Sequence, residues 1–411
     1  MRICQIVDIG YEAGGAEKSV RLIRDELDRR HHQTLVISTS RNLGDRVSFA
    51  DSVVPAVGDS PVARVVGRLW YQRAYRAVRQ VLDGFRPDLV HLHTIGEFSP
   101  AVLAASRGFP SVLTVHGPEP FTLRLLPWQL SAGHFRGGTY DLKDLTPAGL
   151  IRYGYLRGLQ RTAYRRGLRS VDRVLCPSRF IADAVRPDFA RAPIHQLHNG
   201  IEMPAARAYP HGSTLLYVGR LEHVKGVHVL LRALPIVLAA APAARVVIVG
   251  DGPARADLAR LAADLGVGDA VSFRGWLAAD DLLPEYERAT AVVVPSVWPE
   301  NFPTVALEAL GVGRPLVGSA VGGIPELIDH GTSGLVVPPD DPPALANALL
   351  RVLLDPAAAR AMAAAARDKA AVFGISTFIG RLISHYREVV EESARRGSEE
   401  NRNPTGNGPN G

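Results

Sequence analysis

A chain of 411 residues, 46% hydrophobic and 21% charged, is long enough for two cores of ordinary size and has the balance of a globular protein. A net charge of +6 is a mild excess that favours anionic partners only where it is concentrated. The two cysteines, Cys4 and Cys176, sit in separate apolar runs, which excludes a disulfide framework and a zinc site; no apolar run reaches the ~20 residues of a membrane span, so a reducing cytoplasm is the expected setting.

In chain order, residues 2–7 predict a strand and residues 16–30 a helix with Val20, Ile23 and Leu27 on one face. Residues 33–39, 88–92 and 111–115 predict further strands, with a helix over 68–85 among them, and Cys176 falls in another apolar strand. The turn-rich run NGIEMPAARAYPHG predicts a boundary near 199–210. A second alternating set then opens, with strands at 215–218, 246–249, 271–273, 291–294, 316–317 and 335–337, separated by helices. Phe378, Ile379, Leu382, Ile383, Tyr386, Val389 and Val390 recur at helical spacing and predict one terminal helix over 375–396, whereas 397–411 lack apolar residues and are expected to be disordered. Two alternating sets imply an α/β chain of two Rossmann-like domains with doubly wound parallel sheets, 1–198 and 199–374.

The run SVWPENFPTVALEAL (296–310) places Glu300 in a loop and Glu308 on the following helix, whose start is pre-set by Pro303. The unpaired N–H groups of that helix end suit a diphosphate, and an acid at each end suits the hydroxyls of sugar and ribose. An ordinary solvated helix with a capping acid has the same spacing. In YVGRLEHVKGVHVLL (217–231), Arg220 leaves a strand and Lys225 opens a helix; two cations at a carboxyl edge can hold a diphosphate and stabilise it as a leaving group. The glycine turns VGDGP (249–253) and VGGIPE (321–326) serve either an anion or tight packing. Asp280–Asp281 and Asp340–Asp341 read as helix N-caps, and no metal site is expected. His91 and His93 read as hydrogen-bonded structural histidines or as cleft residues.

Segment 118–170 is rich in arginine. Arg157, Arg161, Arg165 and Arg169 are four apart, a cationic stripe that weakens an isolated helix by roughly 0.2–0.5 kcal/mol per pair and so points to an anionic partner. With Phe121, Leu123, Leu125, Leu126, Pro127 and Trp128 upstream, a membrane surface or a lipid diphosphate fits; a solvated arginine face is the other reading. No nucleic-acid motif accompanies the charge.

Taken together and in order, GRL-x3-KG, VGDGP, FRGW (273–276), PENFPTVALEA, VGGIPE and GTSGLVVPPDD resemble glycosyltransferase family 4, over most of the chain outside 118–170 and the tail. The resemblance implies the GT-B fold, a terminal helix crossing back to the first domain, and retaining hexosyl transfer without metal or cofactor from a nucleotide sugar, UDP- or GDP-linked, to a hydroxyl acceptor. It gives Arg220 and Lys225 to the donor diphosphate, Glu300 to the transferred sugar and Glu308 to the ribose. Backbone groups of Asn301, Phe302, Pro303 and Thr304 would line the pocket. Gly14 and Gly15 in GGAEK would let the backbone approach the donor, and His116 in LTVHG would sit beside its sugar. Glu17 reads as a partner of the helix dipole. Gly117 stands where many members have Asp. The acceptor is expected in glycan, glycolipid or glycosylated-metabolite synthesis, a lipid-linked one at the inner membrane face included. A nucleotide-sugar epimerase of the same fold and a catalytically idle glycan- or membrane-binding module are the alternatives.

Overall fold

The computed structural model describes residues 1–402 apart from 13, 118, 120, 123–145, 190, 206 and 211. The first sheet has seven strands: β1 (Arg2–Ile9), β2 (Gln33–Thr39), β3 (Ser52–Val54), β4 (Leu89–Leu92), β5 (Ser111–Thr114), β6 (Arg173–Cys176) and β7 (Ile194–Gln196). They are parallel throughout, in the order β3-β2-β1-β4-β5-β6-β7. The second has six: β8 (Thr214–Val218), β9 (Arg245–Val249), β10 (Val271–Gly275), β11 (Ala291–Val294), β12 (Leu316–Ser319) and β13 (Gly334–Val337), in the parallel order β10-β9-β8-β11-β12-β13. These are two doubly wound α/β units. Their strands are almost continuous apolar runs because helices cover both faces. In each sheet the strand order reverses once, between β1 and β4 and between β8 and β11, and a crevice opens at the carboxyl ends of such neighbours.

The helix expected over 68–85 is two helices, Pro61–Leu69 and Gln72–Phe85. The first has its own start signal, Ser60 Oγ accepting from Ala63 N with Pro61 behind it, which the apolar spacing concealed. Trp70 and Tyr71 between them are extended, and the Tyr71 N–H donates to Ser99 Oγ at 3.0 Å. Asp341 caps its helix, but Asp280 and Asp281 fall inside the first turn of Ala279–Arg288 and are not N-caps.

The terminal helix is Ile375–Arg402, longer than the expected 375–396. Its polar extension holds no proline before Pro404, so nothing in the backbone stops it at 396. Residues 403–411 of the expected disordered tail lie outside the described residues. Phe378, Ile379, Leu382, Ile383, Tyr386 and Val389 are buried against Ile3, Ile23, Leu27, Leu89, Val112, Leu175 and Leu197 of the first unit. Each such side chain contributes roughly 1.5–3 kcal/mol by leaving water. Arg173 on β6, 3% exposed, is bound by Glu388 and Glu392 of the same helix. Among the described residues no helix is long and apolar enough to cross a membrane.

Candidate active site

A cavity of about 540 Å³ lies between the two sheets and is lined from both sides. Gly14, Gly15, Lys18 and His116 come from the first unit; Arg220, Lys225, Trp276, Ser296 and Glu300 to Val305 come from the second. The two reversal points therefore face each other, which is why loops far apart in sequence share one space.

On the second side, the loop after β11 carries Glu300, and the helix Thr304–Gly311 starts directly behind Pro303, whose φ of -66° and ψ of 122° turn the chain into it. Glu300 Oε1 accepts from Lys225 Nζ at 2.7 Å and from Ser296 Oγ at 2.9 Å. Among the described residues Oε2 of Glu300 has no recorded partner. Glu308 Oε1 accepts from Lys18 Nζ at 2.5 Å, and its Oε2 from Tyr286 OH at 2.8 Å. The two acids thus stand at either end of the helix start, each neutralised by a lysine. Arg220 reaches Glu222 at 2.7 Å while 71% of its side chain stays exposed, so no packing holds it back from the cavity it lines.

The glycines of VGGIPE resolve to packing. A Cβ on Gly322 would lie 2.0 Å from Glu300 O, and one on Gly323 1.8 Å from Asn301 O; the Gly323 N–H donates to Glu300 O at 2.7 Å. The pair seats the Glu300 loop. Gly15 serves a close approach across the cleft, where a Cβ would lie 3.2 Å from Thr304 Cγ2.

Asn301 joins the halves through its side chain: Nδ2 donates to Val115 O at 3.1 Å and His116 O at 2.8 Å, and Oδ1 accepts from Ser178 Oγ at 2.7 Å. Glu326 forms a second clamp, accepting from the backbone N–H groups of Arg179 and Phe180 at 3.0 and 3.1 Å, and from Gln196 Nε2 at 2.6 Å. A carboxylate from one unit so caps the N-terminus of helix Arg179–Val185 in the other.

His116 ends the strand run of β5 and is turned inward, its Nε2 3.0 Å from His93 Nδ1. His91 and His93 are fully buried and hydrogen-bonded, as structural histidines are. Burial pushes His116 down to about 4 and His91 to about 3, so the rings are neutral at physiological pH. Glu17 lies in the first turn of helix Gly15–Arg29, with burial raising its carboxyl.

The arginine stripe is interrupted. A π-helical turn at Leu156–Gln160 shifts the spacing, and Arg161 is withdrawn into a pair with Asp188, Nη2 to Oδ1 2.9 Å. Arg157 lies over the Tyr153 ring at 5.9 Å, and Arg157, Arg165 and Arg169 are exposed. Leu123, Leu125, Leu126, Pro127 and Trp128 lie outside the described residues.

Four participants escape a motif reading: Lys18, Tyr286, Trp276 and the Asn301 side chain. Lys18 was visible as the last residue of GGAEK, but nothing in one sequence says that it crosses to Glu308. Trp276 in FRGW is 76% exposed while lining the cavity, and a large exposed aromatic on a cavity wall is the signal that could have found it.

Two parallel-sheet units, facing reversal points and a cleft of paired acids and cations define a GT-B glycosyltransferase. Residues 13–203 match the family described as Glycosyltransferase Family 4, and residues 212–355 the one described as Glycosyl transferases group 1. D-inositol 3-phosphate glycosyltransferase 1 of Catenulispora acidiphila is 30% identical over 328 residues, 74% of this chain and 73% of that protein. Glycogen synthase of Mycobacterium tuberculosis is 34% identical over 293 residues, 69% of this chain and 64% of that one. Among solved structures, sucrose-phosphate synthase from Thermosynechococcus elongatus superposes with a TM-score of 0.73 at 23% identity, covering 95% of this chain and 100% of that one. Anabaena HepE in complex with UDP and glucose gives 0.69 at 20%, covering 94% and 100%. The chain belongs to glycosyltransferase family 4.

Proposed function

We propose that this glycosyltransferase is retaining and metal-independent, and moves a hexose from a nucleotide sugar to a hydroxyl acceptor. The observation that carries the reading is the placement of Glu300 before and Glu308 within one helix, paired with Lys225 and Lys18, in two adjoining cavities that share Gly15, Lys18 and Thr304. The diphosphate lies at the N-terminus of helix Thr304–Gly311, met by its amides and by Arg220 and Lys225. The backbone from Asn301 to Thr304 lines that pocket, with Gly14 and Gly15 opposite. Glu300 takes sugar hydroxyls and Glu308 takes the ribose. The nucleotide is UDP or GDP; UDP comes first because the HepE neighbour was solved with it.

In the reaction, the bond from the anomeric carbon to the diphosphate oxygen breaks and its electron pair leaves with the phosphate. The acceptor hydroxyl attacks from the same face, through an oxocarbenium-like state, and gives its proton to the departing phosphate oxygen. The protein supplies position and electrostatics, so no cofactor or metal is required. ¹H NMR of the product, run with and without EDTA, tests this: an anomer matching the donor at an unchanged rate supports it, and an inverted anomer or loss of turnover with EDTA overturns it.

The acceptor side favours a lipid-linked substrate and peripheral contact with an anionic inner membrane face. Val62 and Val66, 73% and 59% exposed, and Ile151 and Leu159, 76% and 62%, sit on segments joined by the Tyr155 hydroxyl donating to Val65 O at 2.7 Å. Exposed Arg73, Arg76, Arg152 and Arg157 lie on the same segments or next to them. Apolar side chains with arginines around them suit an anionic bilayer surface. Co-sedimentation with phosphatidylglycerol vesicles, lost in Val66→Asp with Ile151→Asp, checks it; no binding to these vesicles refutes the contact.

A further inference from the structure

Gln5 lies in the middle of β1 and is fully buried beneath the cleft. Its Oε1 is 3.2 Å from His93 Nε2, and His93 Nδ1 is 3.0 Å from His116 Nε2. His91 packs against His93 with ring centroids 3.9 Å apart and planes tilted by 41°, and is held by Tyr386 OH at 2.6 Å and Thr114 Oγ1 at 2.8 Å. Three imidazoles are thus contiguous, and among the described residues none is paired with a carboxylate. Burial disfavours a charge on any of them, and a proton on one would face the others.

An amide oxygen only accepts hydrogen bonds, so the nitrogen facing it must carry the hydrogen. His93 is then protonated at Nε2 and bare at Nδ1. The bare Nδ1 in turn requires a hydrogen on His116 Nε2. We infer that Gln5 and His93 are positioning residues that lock His116 in its Nε2–H tautomer, so that its Nδ1 meets the substrate as a neutral hydrogen-bond acceptor. This rests on the reading of the cavity as the transfer site.

The lock has two chemical consequences. A positive charge grows on the anomeric carbon during transfer, and a neutral ring beside it avoids the repulsion an imidazolium would bring. The chain also ends in an amide that cannot take a proton, so His116 has nowhere inward to pass one. The acceptor's proton leaves on the phosphate, and His116 orients a hydroxyl by accepting from it.

Long-range ¹H–¹⁵N spectra of histidine-labelled protein without ligand test the lock directly, with signals assigned from His91→Gln and His116→Gln. The expected result from pH 8 down to 5.5 is three neutral rings, with His93 and His116 hydrogen-bearing at Nε2 and bare at Nδ1. Gln5→Met keeps the volume and removes the oxygen; it is expected to release the fixed tautomer of His116 and slow turnover about tenfold or more, with UDP affinity within twofold. A hydrogen on His116 Nδ1, an imidazolium at or above pH 5.5, or an unchanged tautomer in Gln5→Met overturns the inference. These spectra need no substrate, so a protein that fails to transfer sugar yet shows the locked tautomer would sink the proposed activity alone.

Discussion

Lys18 Nζ and Glu308 Oε1 meet across the cleft at 2.5 Å, joining the first helix of one unit to the helix Thr304–Gly311 of the other. Lys18 is 40% and Glu308 21% exposed, so the pair adds little to stability. Its weight is positional: on the proposed reading, a ribose bound at Glu308 shares or displaces this contact. Glu308→Ala is expected to weaken UDP binding about 10- to 150-fold, the range for losing hydrogen bonds to a charged group at roughly 1.5–3 kcal/mol. Isothermal titration measures it, and an unchanged affinity would put the nucleotide elsewhere.

Lys225 sits on the other acid, 2.7 Å from Glu300 Oε1. Charge grows on the diphosphate as it leaves, so Lys225→Ala is expected to cut turnover by about 10²–10³ while changing donor affinity less than Glu308→Ala does. The assay uses whichever nucleotide sugar raises the melting temperature most in a panel. A purely higher KM with normal kcat would give Lys225 a binding role only.

Trp276 is the exposed ring on the cavity wall beside Gly250 and Asp251. A flat exposed aromatic on this wall suits a nucleobase, and stacking of this kind is worth ~1–3 kcal/mol by alanine substitution. Trp276→Ala is expected to weaken UDP roughly 5- to 150-fold, and Trp276→Phe to restore most of the loss. Quenching of tryptophan fluorescence by UDP in the parent protein is the matching optical check.

The buried histidines give a signed pH effect. His91 is held at about 3 against an ordinary 6.5, so below pH 6.5 the unfolded chain takes a proton that the fold refuses. Stability is full above 6.5 and falls as pH drops toward 3; at pH 5 the share of His91 is ~2 kcal/mol. Asp8 and Glu119 are raised by burial and act in the opposite sense, losing stability as pH rises. Urea titrations of the parent and His91→Gln at pH 7 and pH 5 separate the two: the variant is expected to lose about 2 kcal/mol less on acidification.

Much of this molecule was readable from its residues. Uninterrupted apolar runs such as Ala291–Val294 announce strands covered on both faces, and the glutamates at 300 and 308 bracket a proline whose fixed φ suits a helix start. What stayed hidden was relational. Ser60 and Pro61 open a short helix, but the apolar spacing ran past Trp70, where Ser99 from elsewhere in the chain holds the break. The stripe of arginines assumed four exposed side chains, and Asp188 draws Arg161 out of it. Gly322 and Gly323 read equally as an anion nest or as a seat for another loop, and only the presence of Glu300 O and Asn301 O against them decides. Lys18 and Glu308 are 290 positions apart, a pairing no local rule can reach.

The backbone passes between the two units twice, and the passages are tied together: Ile201 N donates to Phe373 O at 2.9 Å, and Ile375 N donates to Ile201 O at 2.8 Å. A single tether leaves two lobes free to rotate about it. A doubled, cross-linked crossing removes that freedom, so any opening of the cleft is confined to bending at this seam and returns the same atoms to register.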